Sequence, residues 1–409
     1  MKIWLIQIGE ALPVNVEIRK LRTAYLADKL IQRGHNVLWW ASAFDHFGKR
    51  WLYDHDKEVT LDQRFTIKAL KGIGYKKNVS LTRYIDHRII ARKFKRFIPS
   101  AQKPDIIVAS LPSYDLAYYA TAFAQENSIP SLADIRDQWP DIFVEQVPAI
   151  FRSIVRIALR KDFKMTKRAL KSATGIISMS TNILQWGLQY AEREQRQQDR
   201  VFYLGYNRGS TSERKTGRIA AVLKDIKGKF VVTFIGTFAE YHNPSILIKC
   251  ANILENTKRI HFVLAGDGQL MPKLKKLSGH LPNVTLTGWL NQGEIDAVLT
   301  RSNIGVCTTN QTAYFFPNKA FAYLSAGLPV VSAFQGDLRE LIRKHRIGFY
   351  YSPNDVDSLA SCIKRLYEDP QLYMKMSENA QKAFNEMFDA NRIYDEYAKH
   401  VEKVADGYK

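Results

Sequence analysis

Short apolar runs of strand length alternate along the chain with longer segments whose apolar residues recur every three or four positions, the pattern of parallel α/β units. In the first half the runs fall at 2–8, 36–41, 105–110, 130–135 and 174–179. Between the first two, Leu21, Ala24, Ala27, Leu30 and Ile31 share one side of a helix over Arg19 to Gly34, where Gly34 supplies the stop. A polar, charged stretch follows Phe202 to Ser210, and a second series begins at 229–235, 260–265, 283–287, 303–307, 329–332 and 348–351. This predicts an α/β chain of two parallel-sheet domains, 1–210 and 211–385, with a hinge near 205–225. Apolar residues at helical intervals over 371–404, among them Phe384, Phe388, Tyr397 and Val401, predict one long helix whose last part, 386–409, packs back on the first domain.

Length agrees with two cores, since 409 residues exceed what one core sustains. With 46% hydrophobic and 24% charged residues the composition excludes a disordered chain, a coiled coil and a collagen. Sixty Lys+Arg against forty Asp+Glu leave a net charge of +20, which calls for an anionic partner: phosphate, lipid headgroup or nucleic acid. Cys250, Cys307 and Cys362 are far apart, with no His or Cys at ligand spacing, so neither a metal site nor a disulfide framework is expected. The apolar run at the N-terminus ends at Ile8, before Gly9 and Glu10, and reads as a buried strand, not a secretion signal. No uncharged stretch approaches the ~18 residues that span a bilayer, so membrane contact is expected to be peripheral, at a cytoplasmic face.

The strands of the second half end in glycine-bearing loops that feed helices, and in an open parallel sheet such loops form the ligand-binding edge. The first strand ends at Gly236-Thr237, and a helix is expected to open with Asn243 as cap and Pro244 at its first position, its free amides offering an anion site. Gly266-Asp-Gly268 and Gly288-Trp289-Leu290 mark two further edges. At the fourth, Pro317-Asn318-Lys319 starts a helix that Gly327 ends. A lysine in a first turn opposes the helix dipole, which makes sense where an anion also binds. Gly336 to Glu340 opens another helix at the same edge.

In the first half, Arg136-Asp137-Gln-Trp-Pro140 places two charged residues just beyond a strand. Basic residues concentrate at 71–96, including Arg92, Lys93, Lys95 and Arg96, and at 152–171, where Arg152, Arg156, Arg160, Lys164 and Arg168 follow a four-residue step. That step predicts one basic helical stripe, and with Phe151, Ile154 and Val155 beside it the helix suits an anionic membrane surface.

The order of Gly34-His35, Arg136-Asp137-Gln-Trp-Pro, Ile177-Ser-Met-Ser180, Gly205-Tyr-Asn207, Phe234-Ile-Gly236-Thr, Ala265-Gly-Asp-Gly268, Thr287-Gly-Trp289 and Pro317 to Gly327 resembles the family-four glycosyltransferases of the GT-B fold. The resemblance covers nearly the whole chain. It is strongest to the bacterial branch that extends lipid-linked O-antigen and capsule repeats, where Gly9-Glu10 followed by basic residues such as Arg19 and Arg22 is typical.

The resemblance implies two Rossmann-like domains facing a cleft and a retaining sugar transfer from a nucleotide-sugar donor, without metal or other cofactor, to a polyprenyl-diphosphate-linked glycan. It implies donor contacts from Gly236, Thr237, Asn243, Gly266, Gly268, Trp289, Leu290, Asn318, Lys319, position 322 and Glu340. It further implies acceptor contacts from Gly9, Glu10, Arg19 and Arg22, and catalytic roles for Arg136, Asp137 and Lys319. The chain departs from the family at Ala322, where a Glu normally holds the donor ribose, at Tyr314, and at Thr237 and His242, where Arg and Lys commonly hold the diphosphate. A catalytically silent scaffold, a basic nucleic-acid-binding protein and a sugar-nucleotide epimerase of the same fold are the rival readings, but no nucleic-acid module is recognised.

Overall fold

The computed structural model describes residues 1–14, 20–78, 80–207, 217–257 and 259–408. The chain folds as two compact units, Met1–Tyr203 with Tyr394–Lys409, and Leu204–Ile393.

The first unit contains β1 (Lys2–Ile6), β2 (Asn36–Ser42), β3 (Phe44–Asp45), β4 (Arg50–Trp51), β5 (Lys57–Asp62), β6 (Phe65–Leu70), β7 (Ile106–Leu111), β8 (Ser131–Ile135), β9 (Gly175–Ser178) and β10 (Arg200–Val201). Its main sheet runs β10-β9-β8-β7-β1-β2-β6-β5, parallel except for β5 against β6, while β3 and β4 form a separate antiparallel ladder. Buried Trp4 stacks on Phe123, and Trp40 meets Phe94 edge-on, filling one face of this sheet. The ladders at 44–51 and 57–70 are absent from the sequence expectation. Their outer strands are largely exposed (β5 is exposed except at Val59), so they carry no apolar run. The first helix is Arg22–Gln32, shorter than expected, and Arg19 lies outside the described residues.

The second unit contains β11 (Phe230–Ile235), β12 (Ile260–Ala265), β13 (Val284–Gly288), β14 (Ile304–Cys307), β15 (Val330–Ser332) and β16 (Gly348–Tyr350) in one parallel sheet. Its order, β13-β12-β11-β14-β15-β16, reverses direction between β11 and β14, so the loops after those two strands flank the topological switch point. Those loops are 236–244 and 308–317.

The long helix expected over 371–404 is two helices, Pro370–Ala383 and Ala390–Asp406, separated by a π turn at Phe384–Phe388 and an extended Asp389. At this break Tyr206 pairs with the chain: its amide donates to Phe388 O at 3.0 Å, and its carbonyl accepts from Ala390 N at 3.3 Å. From Tyr394 onward the last helix belongs to the first unit. There Tyr394 stacks on Tyr25, Tyr397 stacks on Phe202, and Glu402 pairs with Arg33 at 2.7 Å. Among the described residues, no helix is long and apolar enough to cross a membrane.

Candidate functional site

At the switch point of the second unit, helix Asn318–Ser325 begins after an extended Pro317, which places Lys319 in its first turn as the sequence suggests. Tyr323, one turn farther on, fixes this helix. Its hydroxyl accepts from Ile235 N at 2.9 Å and donates to Val306 O at 3.3 Å, bridging the carboxyl ends of β11 and β14. Sequence reasoning passes over Tyr323, because its partners are set only by tertiary pairing. Lys319 is thereby aimed back at the glycine turn. Its Nζ lies 3.7 Å from the centroid of the Phe234 ring, and a Cβ built on Gly236 would stand 3.0 Å from it.

That ammonium is buried without a hydrogen-bond partner. Burial pulls its pKa down to about 8. His242 Nδ1 and Ser245 Oγ, on the loop and helix after β11, are likewise buried and unpartnered. Burial, and then the charge of Lys319, lower the His242 imidazole to about 4. A buried cation with no hydrogen-bond partner, near enough to the orphan His242 to lower its pKa, is costly unless an anionic ligand completes it. Its chemistry suits a phosphate group.

Other residues expected at this edge take varied places. Thr237 is exposed beside Gly236. Gly266 and Gly268 pack against the Gly236 loop, where Phe238 N donates to Asp267 O at 2.8 Å and Leu270 N to Phe238 O at 3.0 Å. A Cβ at Gly266 would fall 1.8 Å from Gly236 O, so this glycine shapes the turn by close backbone approach. Trp289 is 66% exposed, whereas Leu290 is buried among Val263, Ala265 and Val298. Asn243 is not the expected helix cap. It adopts a left-handed conformation (φ 40°) that ends a short 3-10 turn, its side chain donates to Asn354, and the helix proper runs Ser245–Ile253 after Pro244. Asn318 is exposed at its helix start. Ala322, on the turn after Lys319, is 6% exposed. Glu340 is exposed and pairs with Arg343 at 2.9 Å.

In the first unit, Gly9 donates its amide to Gln7, and Glu10 accepts from the amide of Thr23 at 2.9 Å and pairs with Arg136. Arg136 also binds Asp134 at 3.0 Å, and Asp134 in turn holds Arg22 at 3.0 Å. Arg22 donates to Phe202 O at 2.7 Å and lies under the Tyr397 ring. Glu10, Arg136, Asp134 and Arg22 thus form a charge-balanced chain. One expectation changes here. Arg22 and Asp134 are 2% and 0% exposed, which makes this arginine an internal tie to the last helix instead of an acceptor contact. Arg136 and Asp137 do not act as a pair: Asp137 turns to Gln138 N and Trp139 Nε1, and burial raises its pKa.

The basic stripe expected over 152–171 is interrupted at Leu159, giving helices Arg152–Ala158 and Arg160–Ser172. The 3-10 turn Ala149–Phe151 and the first helix are exposed along most of their length, with Ile150, Phe151, Ile154 and Ile157 at 78%, 52%, 64% and 69% exposure beside Arg152 and Arg156; Arg160, Lys161 and Lys164 follow on the second helix. In helix Leu81–Phe97, Arg92 and Arg96 are exposed, Lys93 pairs with Asp56 at 2.8 Å, and Lys95 lies over Tyr119.

Residues 229–369 match the family described as "Glycosyl transferases group 1". Among curated relatives, an Escherichia coli UDP-Gal:alpha-D-GlcNAc-diphosphoundecaprenol alpha-1,3-galactosyltransferase is 29% identical over 49% of this chain and 49% of its own length. An Escherichia coli O-antigen chain mannosyltransferase C is 21% identical over 57% of this chain and 62% of its own. The chain therefore spans less than two thirds of either relative. Among solved structures, Anabaena HepE in complex with UDP superposes with a TM-score of 0.66 at 17% identity, covering 98% of this chain and 99% of that one. Residues 229–369 are thus a domain of the glycosyl transferases group 1 family, in a chain that has the fold of the GT-B glycosyltransferases.

Proposed function

We propose that this protein is a glycosyltransferase that moves a sugar from a nucleotide-sugar donor, with retention at the anomeric carbon, onto a polyprenyl-diphosphate-linked glycan in cell-surface polysaccharide synthesis. The observation that carries the reading is the buried, hydrogen-bond-free ammonium of Lys319 facing Gly236. In this reading the donor diphosphate occupies that space, and Lys319, His242 and the backbone at Gly236-Thr237 stabilise the charge that grows on the leaving group. The departing phosphate oxygen takes the acceptor proton, so no separate carboxylate base is required, and no metal or other cofactor is assigned. Asp137 orients the acceptor hydroxyl, with Glu10 and Arg136 holding the loop beside it.

The relatives named above act on a diphosphoundecaprenol substrate and on O-antigen chains by their names, and HepE holds UDP, which supports a nucleotide donor and a lipid-linked acceptor here. The exposed apolar and basic side chains at 150–164 fit a protein that works at the inner face of an anionic membrane. A catalytically silent scaffold is the second reading, favoured by one observation: the position one turn beyond Lys319 carries the methyl of Ala322 and no carboxylate. A thermal-shift panel of nucleoside diphosphates and their sugars tests the donor site, since a ligand at 100 times its dissociation constant adds about 2.7 kcal/mol. Stabilisation by one base across its sugars supports the reading; no response to any nucleotide at millimolar concentration overturns it.

A further inference from the structure

The first unit holds a second group of cations that the donor reading does not use. The β3–β4 turn and the start of helix Leu81–Phe97 meet around Tyr75. Lys49 Nζ lies 4.8 Å and Arg83 Cζ 5.5 Å from the Tyr75 ring centroid, and His46 Nδ1 is 2.6 Å from the Tyr75 hydroxyl. Arg83 also covers the Trp139 ring at 4.7 Å, two residues from Asp137. Three carboxylates are close and act on Lys49 and Arg83 through space, but each accepts its hydrogen bonds from other donors. Asp86 accepts from the amides of Ile73 and Gly74, Asp45 from the amide of Phe47, and Asp137 from Gln138 and Trp139. Among the described residues, neither Lys49 nor Arg83 forms an ion pair; both hold onto Asn78.

Two cations outside any ion pair, Arg83 half-buried and Lys49 on an exposed turn, make a site that favours an anion, with Asp45 acting on Lys49 and Asp86 and Asp137 on Arg83 only through space. The same electrostatics are visible at His46, held down to about 4 by burial and by Arg83 and Lys49. Beside the cations, Phe47 and Ile73 are exposed by 62% and 50%, and Trp51 by 38%. Trp51 packs edge-on against Phe44, which leans on Tyr75. Cations at the centre and apolar side chains at the rim match an amphiphile with a charged head and a hydrocarbon tail.

We propose that Lys49, Arg83, His46 and Tyr75 bind the diphosphate of the lipid-linked acceptor, with Phe47, Trp51 and Ile73 against the first isoprenoid units. The proposal rests on the lipid-linked acceptor reading and names where that acceptor is held. A diphosphate here places the glycan it carries next to the Arg136-Asp137 loop.

The test is a histidine titration by NMR in the intact chain carrying Lys319→Ala, with His46 assigned through His46→Gln. Because the signal comes from the first unit, it reads this site whether or not the second unit binds a nucleotide. The groups facing His46 are Asp45, Lys49, Tyr75, Arg83 and His87; burial first, and then the two cations, keep it neutral at pH 6. Millimolar inorganic pyrophosphate should raise the His46 pKa by a unit or more, and farnesyl diphosphate should do the same while also changing Trp51 fluorescence. In Lys49→Gln, on the exposed turn, the response should fall at least tenfold in apparent affinity. An unchanged His46 titration with both diphosphates overturns the proposal. So does a shift produced by phosphatidylglycerol vesicles but by neither diphosphate, which would make the site a headgroup contact.

Discussion

Lys319 Nζ stands 3.7 Å from the centre of the Phe234 ring and takes no hydrogen bond, although it is a buried cation at the carboxyl edge of a parallel sheet. The ring face offers partial compensation, and burial lowers the lysine to about 8, so near neutral pH it remains mostly charged. A bound diphosphate favours the charged form and raises that value. The sign follows: affinity for a nucleoside diphosphate should be level below pH 8 and weaken as pH rises through 8. The loss should reach about tenfold per unit until the lysine's share, roughly ten- to hundredfold, is gone. Calorimetry with UDP from pH 7 to 9.5 measures it, and an affinity independent of pH over that range would remove Lys319 from the site.

The turn that receives Lys319 depends on two glycines in different ways. At Gly236 an added methyl would meet the flexible end of the lysine at 3.0 Å, in a backbone with φ 142°. Gly236→Ala should fold, lose about 1–2 kcal/mol of stability, and bind nucleotide more weakly. At Gly266 the methyl would meet backbone, 1.8 Å from Gly236 O, with nothing able to move aside. Gly266→Ala should destabilise by more than about 3 kcal/mol. Thermal melts of the two variants check the order, and equal melting temperatures would contradict it.

Ala322 lies one turn beyond Lys319 in the same helix, with its start, its apolar spacing and the Gly327 stop intact. A carboxylate there would accept ribose hydroxyls and face the lysine, a gain of about 1.5–3 kcal/mol from charged hydrogen bonds. Ala322→Glu should raise both nucleotide affinity and sugar transfer. Binding and transfer no better than in the natural chain would favour the silent-scaffold reading.

How much of this is legible in the sequence depends on the range of the interactions. The strand end before Gly236, the helix start that holds Lys319 and the Gly327 stop lie where the sequence places them, because a strand ending in glycine and a helix opening after proline are local signals. Asn243 misleads for a local reason as well: Asn caps helices but also tolerates the left-handed conformation it adopts here. Arg22 could not be read as buried, since its partner Asp134 is 112 residues away and its cover comes from Tyr397. Periodicity carries the expected helices straight through Leu159 and the Phe384–Phe388 turn, where backbone geometry changes while the apolar spacing continues. The cation group at Tyr75 draws on the β3–β4 turn, which has too few apolar residues to announce itself.

The helix Arg152–Ala158 and the start of the one after it offer an independent check on membrane association. Reversing Arg156, Arg160 and Lys164 to Glu should weaken flotation with phosphatidylglycerol vesicles several-fold at low salt and leave the melting temperature unchanged, since all three side chains are exposed. Replacing Ile154 and Ile157 with Ser should weaken flotation at high salt too, where charge is screened. Undiminished flotation in both variants would refute the membrane-facing assignment.

The central claim is that the space between Gly236 and Lys319 receives the diphosphate of a sugar donor. The most direct measurement is transfer of radiolabelled sugar from a panel of nucleotide sugars to lipid-diphosphate acceptors, comparing the natural chain with Lys319→Ala. Transfer from at least one donor, reduced ten- to hundredfold in Lys319→Ala while the variant melts at the same temperature, is the expected result. Equal transfer by both proteins would contradict the claim.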